Sequence, residues 1–126
     1  MGDHGSVRDY HRLEIWRRAH VLAIAVHGAA RGLRGNEFAA LRSQVTRAAD
    51  SVAATIVEGC GSASAREFAR FLDMSIKSAS ETEYHLLSAR DRGALAHGPW
   101  RQLSSEAVAI RRMTYTYRKR LLEDYS

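Results

Sequence analysis

Residues 41–72 hold two helical patterns separated by a three-residue break, and that pairing restricts the chain to helix-on-helix architectures. Leu41, Val45, Ala48, Val52 and Ile56 recur at gaps of three and four, the apolar seam of a helix packed against helices. The break is Gly59-Cys60-Gly61, where glycine is expected to take the left-handed conformation that closes a helix C-terminus. Ser64 and Glu67 then have the spacing of a capping box, in which each side chain satisfies an orphan amide of the first turn. Phe68 and Leu72 open the next buried stripe. Two helices joined so closely make an αα-hairpin, the central half of a bundle.

The flanks supply two more helices. The first is expected from about Leu13 to Leu33, with Trp16, Ala19, Leu22, Val26, Ala29 and Leu33 facing inward. Gly32, Gly35 and Asn36 mark a turn, with Asn36 as N-cap of a second helix from about Glu37 to Glu58. The third runs from about Ala65 to Arg92 and stops at Gly93. Pro99 stands where the first residue of a fourth helix belongs. That helix carries Trp100, Leu103, Ala107, Ile110, Thr114, Tyr117 and Leu121 on a strict alternation of three and four. No strand pattern or internal repeat competes. The expected fold is all-α: an antiparallel up-down four-helix bundle over residues 12–126, preceded by a disordered segment, 1–11. Trp16, Leu22, Val52, Ile56, Phe68, Leu72, Leu103, Ile110 and Tyr117 belong to the expected core.

At 126 residues the chain is one domain, large enough for a core without covalent staples. One cysteine, Cys60, excludes an internal disulfide framework and fits a cytoplasmic setting. The longest apolar run, Val21 to Val26, is too short to span a bilayer, so no membrane is expected as partner. The net charge is +5, and Lys77 and Lys119 are the only lysines among 19 basic residues. Arginine favours bidentate contacts with phosphate and carboxylate. Arginine-rich coding in a GC-rich genome explains the bias equally well.

Catalytic patterns are missing. A di-metal bundle needs Glu-x-x-His on two helices, but Glu81 and His85 are four apart, and His20 and His27 have no carboxylate between them. Cys60, between two glycines, is expected to be accessible, with junction amides that could lower its pKa, yet no acid or base lies at a useful distance. No metal, cofactor or enzymatic activity is expected. Glu58 at a helix C-terminus opposes the helix dipole and calls for a compensating partner. Glu58, Glu81 and Glu83 with Arg47 and Arg70 are read as pairs that fix register or subunit geometry near the hairpin.

Two surfaces remain. Arg17, Val21, Ile24 and Arg31 form a second stripe on the first helix, apolar at its centre and flanked by arginines, which suits a subunit contact. On the fourth helix Arg101, Arg112 and Lys119 share one stripe, and Arg111, Tyr115 and Arg118 the adjoining one. Basic side chains interleaved with an aromatic match what a phosphate backbone and stacked bases require. A solvated charged face is the plainer account, under which the protein is an interaction scaffold.

The chain resembles the four-helix bundle proteins encoded in intervening sequences of 23S ribosomal RNA genes, the S23-like family. The likeness covers about residues 10–95. It rests on Leu13-Glu14-Ile15-Trp16-Arg17-Arg18-Ala19, on Gln44, Arg47, Ala48, Ser51 and Val52, on Ile56-Val57-Glu58-Gly59, and on Glu67-Phe68-Ala69-Arg70-Phe71-Leu72. Ala53-Ala54-Thr55 replaces the family's usual Pro-Ala-Asn, which should straighten the second helix. The resemblance implies a homo-oligomeric bundle, commonly a pentamer. It also implies structural similarity to the accessory variability determinant of diversity-generating retroelements, a basic pentameric bundle that works with a reverse transcriptase and its RNA. RNA or DNA, and a reverse transcriptase, are therefore among the expected partners.

Overall fold

A computed structural model describes residues 8–125. Of the segment expected to be disordered, residues 1–7 lie outside the described residues. From Arg8 the chain is placed: its N–H donates to the Cys60 carbonyl at 2.9 Å, and Tyr10–Arg12 form a 3-10 turn capped by Asp9. Four helices follow, α1 (Glu14–Ala30), α2 (Ala39–Cys60), α3 (Ala65–Asp91) and α4 (His97–Tyr125), with no strand among the described residues. Each packs against its sequence neighbours, and α1 also meets α4, which closes the bundle. None is long and apolar enough to cross a membrane.

The capping box forms with a shift of one residue. Ser64 Oγ accepts from the Glu67 N–H at 3.1 Å, and Glu67 Oε1 reaches past the cap to the Ala63 N–H, also at 3.1 Å. Gly93 closes α3 at φ 78°, the left-handed conformation expected there. Other ends differ from expectation. Asn36 does not cap α2; it opens a 3-10 turn, Asn36–Phe38, reached through Gly35 at φ 89°, and α2 begins after it. Helix α4 starts at His97, so Pro99 lies inside its first turn, where an amide hydrogen is still dispensable.

The break at 59–61 works otherwise than the sequence suggested. Gly61 sits at φ −86°, so no left-handed glycine ends α2. Gly59 is needed for space instead: a Cβ there would lie 2.6 Å from Phe68 Cδ1 and 3.0 Å from Phe71 Cβ. Cys60 is buried rather than accessible, and desolvation pushes its thiol up to about 11, against the lowering expected. Glu58 is exposed, and its carboxylate has no partner among the described residues. Helix α2 runs unbroken through Ala53-Ala54-Thr55.

The core follows the predicted stripes. Leu22, Val26, Val52, Ile56, Leu72, Ala79 and Ile110 are fully or almost fully excluded from solvent. Trp16, Leu103 and Tyr117, expected in the core, are only partly buried and pack on its margin. Buried hydroxyls in the core have partners: Ser75 donates to the Val52 carbonyl across the α2/α3 seam, and Thr55, Thr82 and Thr114 donate to carbonyls one turn back. Ser78 and Ser51 add a second polar link between α2 and α3, at 2.8 Å.

Candidate nucleic-acid interface

The structure divides the six residues predicted on α4 by the side of the helix they occupy. Arg111 and Arg118, seven apart, face α3. Arg111 Nε donates to Glu83 Oε2 at 2.7 Å. Arg118 Nε lies 2.7 Å from Asp73 Oδ1 without the alignment of a hydrogen bond, an ion pair by distance. Both contacts are partly shielded and tie α3 to α4. Glu83 thus spends its charge on α4, not on Arg47 or Arg70 near the hairpin. Arg47 instead reaches Ser43 Oγ within α2.

Arg101, Arg112, Tyr115 and Lys119 point outward and are exposed. Arg120, outside both predicted stripes, joins them. None of these four cations is paired with a carboxylate among the described residues. Glu106, the acid of the helix midsection, is occupied elsewhere. Arg18 on α1 holds it through two hydrogen bonds of 2.8 Å, from Nε to Oε2 and from an Nη to Oε1. That bond holds the Arg18 guanidinium above its ordinary pKa. The other Arg18 Nη contacts Met113 Sδ at 2.9 Å.

Arg18 also divides the α1/α4 seam. On one side lies a groove of about 440 Å³ between Val21, Ala25 and Ala29 of α1 and Pro99, Gln102 and Leu103 of α4. On the other lies a groove of about 420 Å³, where Ile15 faces Met113, Thr116 and Tyr117, with Arg112 and Arg120 at its edge. The stripe predicted on α1 borders the first groove. Val21 is 63% and Ile24 60% exposed, and Arg17 and Arg31 flank them. Arg17 is engaged locally, by an ion pair with Glu14 and a bond to the His11 carbonyl.

His20 stacks on Trp16, His27 meets Asp50 at 3.0 Å, and His85, buried on α3, lies 3.5 Å from Glu81 with no hydrogen bond to its Nε2 among the described residues. Arg120 and the groove residues were beyond reach of sequence alone, because their role depends on where α1 lies against α4. The adjacent Lys119-Arg120 pair was the only signal.

The sequence model of the 23S rRNA-intervening sequence proteins matches residues 11–116, most of the chain. The chain belongs to that family. Its fold is similar to that of a protein of unknown function from the S23 ribosomal protein family of Bacteroides thetaiotaomicron, with a TM-score of 0.78 at 19% identity. The match covers 83% of this chain and 98% of the other. At that identity the likeness speaks for the fold alone. A comparison with curated proteins gave no match.

Proposed function

We propose that this family member is a non-enzymatic, cytoplasmic, homo-oligomeric bundle that binds RNA or DNA through the outward face of α4. The observation that carries the reading is the division on α4: Arg111 and Arg118 are consumed by α3, while Arg101, Arg112, Lys119 and Arg120 stay exposed without carboxylate partners among the described residues. Cations that are neither paired nor buried are the ones that exchange counterions with a phosphate backbone. Oligomerisation draws on the exposed Val21 and Ile24 and the apolar groove beside them. A heterologous contact of this kind closes into a ring, and a pentamer is favoured on the family resemblance. Repetition of the α4 face around a ring would strengthen modest contacts through multivalency.

The test is RNA binding by fluorescence anisotropy across a salt series. Affinity should fall by about 0.7–0.9 log units per tenfold salt for each phosphate neutralised. Arg112→Ala/Lys119→Ala should weaken binding more than Arg34→Ala/Arg47→Ala, which removes equal charge from the α1/α2 side. Equal losses would reduce the effect to net charge. The second reading, a protein-interaction scaffold or an accessory subunit of, for example, a reverse transcriptase, draws on the same exposed apolar pair. Wild-type protein that binds no RNA at low salt would leave that reading in place.

A further inference from the structure

The two grooves of the α1/α4 seam share a wall but not a chemistry. The one beside Val21 is lined by apolar residues apart from Gln102 and the Arg18-paired Glu106, as suits a largely apolar partner surface. The other is flanked by Arg112 and Arg120, both exposed and free of carboxylate partners among the described residues. Its floor is apolar and fixed. Ile15 is 4% exposed, Met113 is held by Arg18, and the Tyr117 ring is set edge-on against Phe68 at 5.9 Å. Glu14 is the one acid on its wall, and Arg17 is paired with it. An apolar slot between two cations suits a ligand with a flat apolar body and a negative tail. At about 420 Å³ the slot lies within the roughly 300–1,000 Å³ typical of small-ligand sites.

We infer that this groove receives one unpaired base of a single-stranded nucleic acid, with the adjoining phosphates on Arg112 and Arg120. This deepens the proposed function and rests on it. Thioether and phenol surfaces are favourable neighbours for an aromatic face, whatever the base. Thr116 Oγ donates to the Arg112 carbonyl, which leaves its lone pairs as acceptors for a base edge. A continuous duplex keeps its bases stacked inside the helix and cannot fill the slot without extruding one. The α4 face is therefore selective for strand state while remaining tolerant of sequence.

Three RNA probes of equal length separate the possibilities: a single strand, the same strand with abasic residues, and a blunt duplex. The full chain is titrated with each by anisotropy at one salt concentration. A base in the groove predicts that the intact strand binds about 5- to 150-fold tighter than the abasic strand, the range for loss of one stacked base. The duplex should bind more weakly than the intact strand. Thr116→Leu, an uncharged filling from an exposed position, should bring intact and abasic affinities together, with circular dichroism to confirm the helices. Arg120→Gln should weaken the intact strand and leave the fold alone. Should intact and abasic strands bind wild type equally, or the duplex bind as tightly, the groove takes no base, and the basic face stands without it. If no probe binds, the nucleic-acid reading itself falls.

Discussion

At the α2/α3 seam the helices come so close that Gly59 leaves no room for a methyl group beside Phe68, whereas the α1/α4 seam holds two grooves of about 440 and 420 Å³. Both seams include alanine and aliphatic residues. What differs is how each gap is filled. In the first, Ser75 and Ser78 donate across it to α2 and the glycine lets the aromatic in. In the second, α4 offers Gln102 and Thr116 where larger apolar groups would close the space, and the Arg18–Glu106 ion pair spans the middle. A seam completed by its own chain serves stability. One left open, with Val21 and Ile24 exposed beside it, is suited to binding.

The comparison breaks most clearly if the two seams respond alike to mutation. Ile56→Ala, in the closed region, should destabilise the fold by about 2–5 kcal/mol through lost burial and an unfilled cavity. Urea unfolding followed by circular dichroism measures it, and a value under about 1 kcal/mol would show that the α2/α3 seam is not the tight one. Arg18 and Glu106 are each about a third exposed. A double-mutant cycle of Arg18→Met and Glu106→Gln should therefore give a coupling of about 0.5–1 kcal/mol. A coupling near zero would mean that packing alone holds α1 to α4. The smallest expected effect on stability is that of Ile24→Arg, within about 0.5 kcal/mol, because the position is exposed in the single chain. Its effect should appear in light scattering instead, as monomers where wild type is oligomeric. Wild type that is monomeric at micromolar concentration would remove the α1 stripe as a contact surface.

The closed seam was also the legible one. Leu41, Val45, Val52, Ile56, Phe68 and Leu72 can be read as core because a helical period fixes which residues share a face, and all six are buried. The period does not fix how a helix is rotated toward each neighbour. Arg111 and Arg112 differ by one position, yet one is paired with Glu83, 28 residues away, and the other stands exposed. On sequence they stand on adjoining stripes with the same expected role. The same limit applies to Gly59: a glycine at a helix end suggests a terminator, and only the approach of Phe68 reveals a spacer. Cys60 looked accessible for the same reason, since its cover comes from elements brought together by the fold. Tyr117 and Leu103 followed the α4 stripe into the expected core but stop at its margin, because the α1/α4 seam above them is open.

The short link between α2 and α3 also has a consequence in time. The Ser75–Val52 contact joins residues 23 apart, whereas Arg18 and Glu106 are 88 apart. Loop-closure entropy rises by about 0.6 kcal/mol per doubling of length, so docking α1 onto α4 carries roughly 1 kcal/mol more of that cost than closing the hairpin. The hairpin is expected to assemble early and α1 to dock late. Ile56→Ala should accordingly slow refolding, while substitutions confined to the α1/α4 seam should act mainly by hastening unfolding. The open seam would then be the last part of the molecule to form and the first to loosen, so that α1 can lift from α4 while the α2/α3 hairpin remains intact.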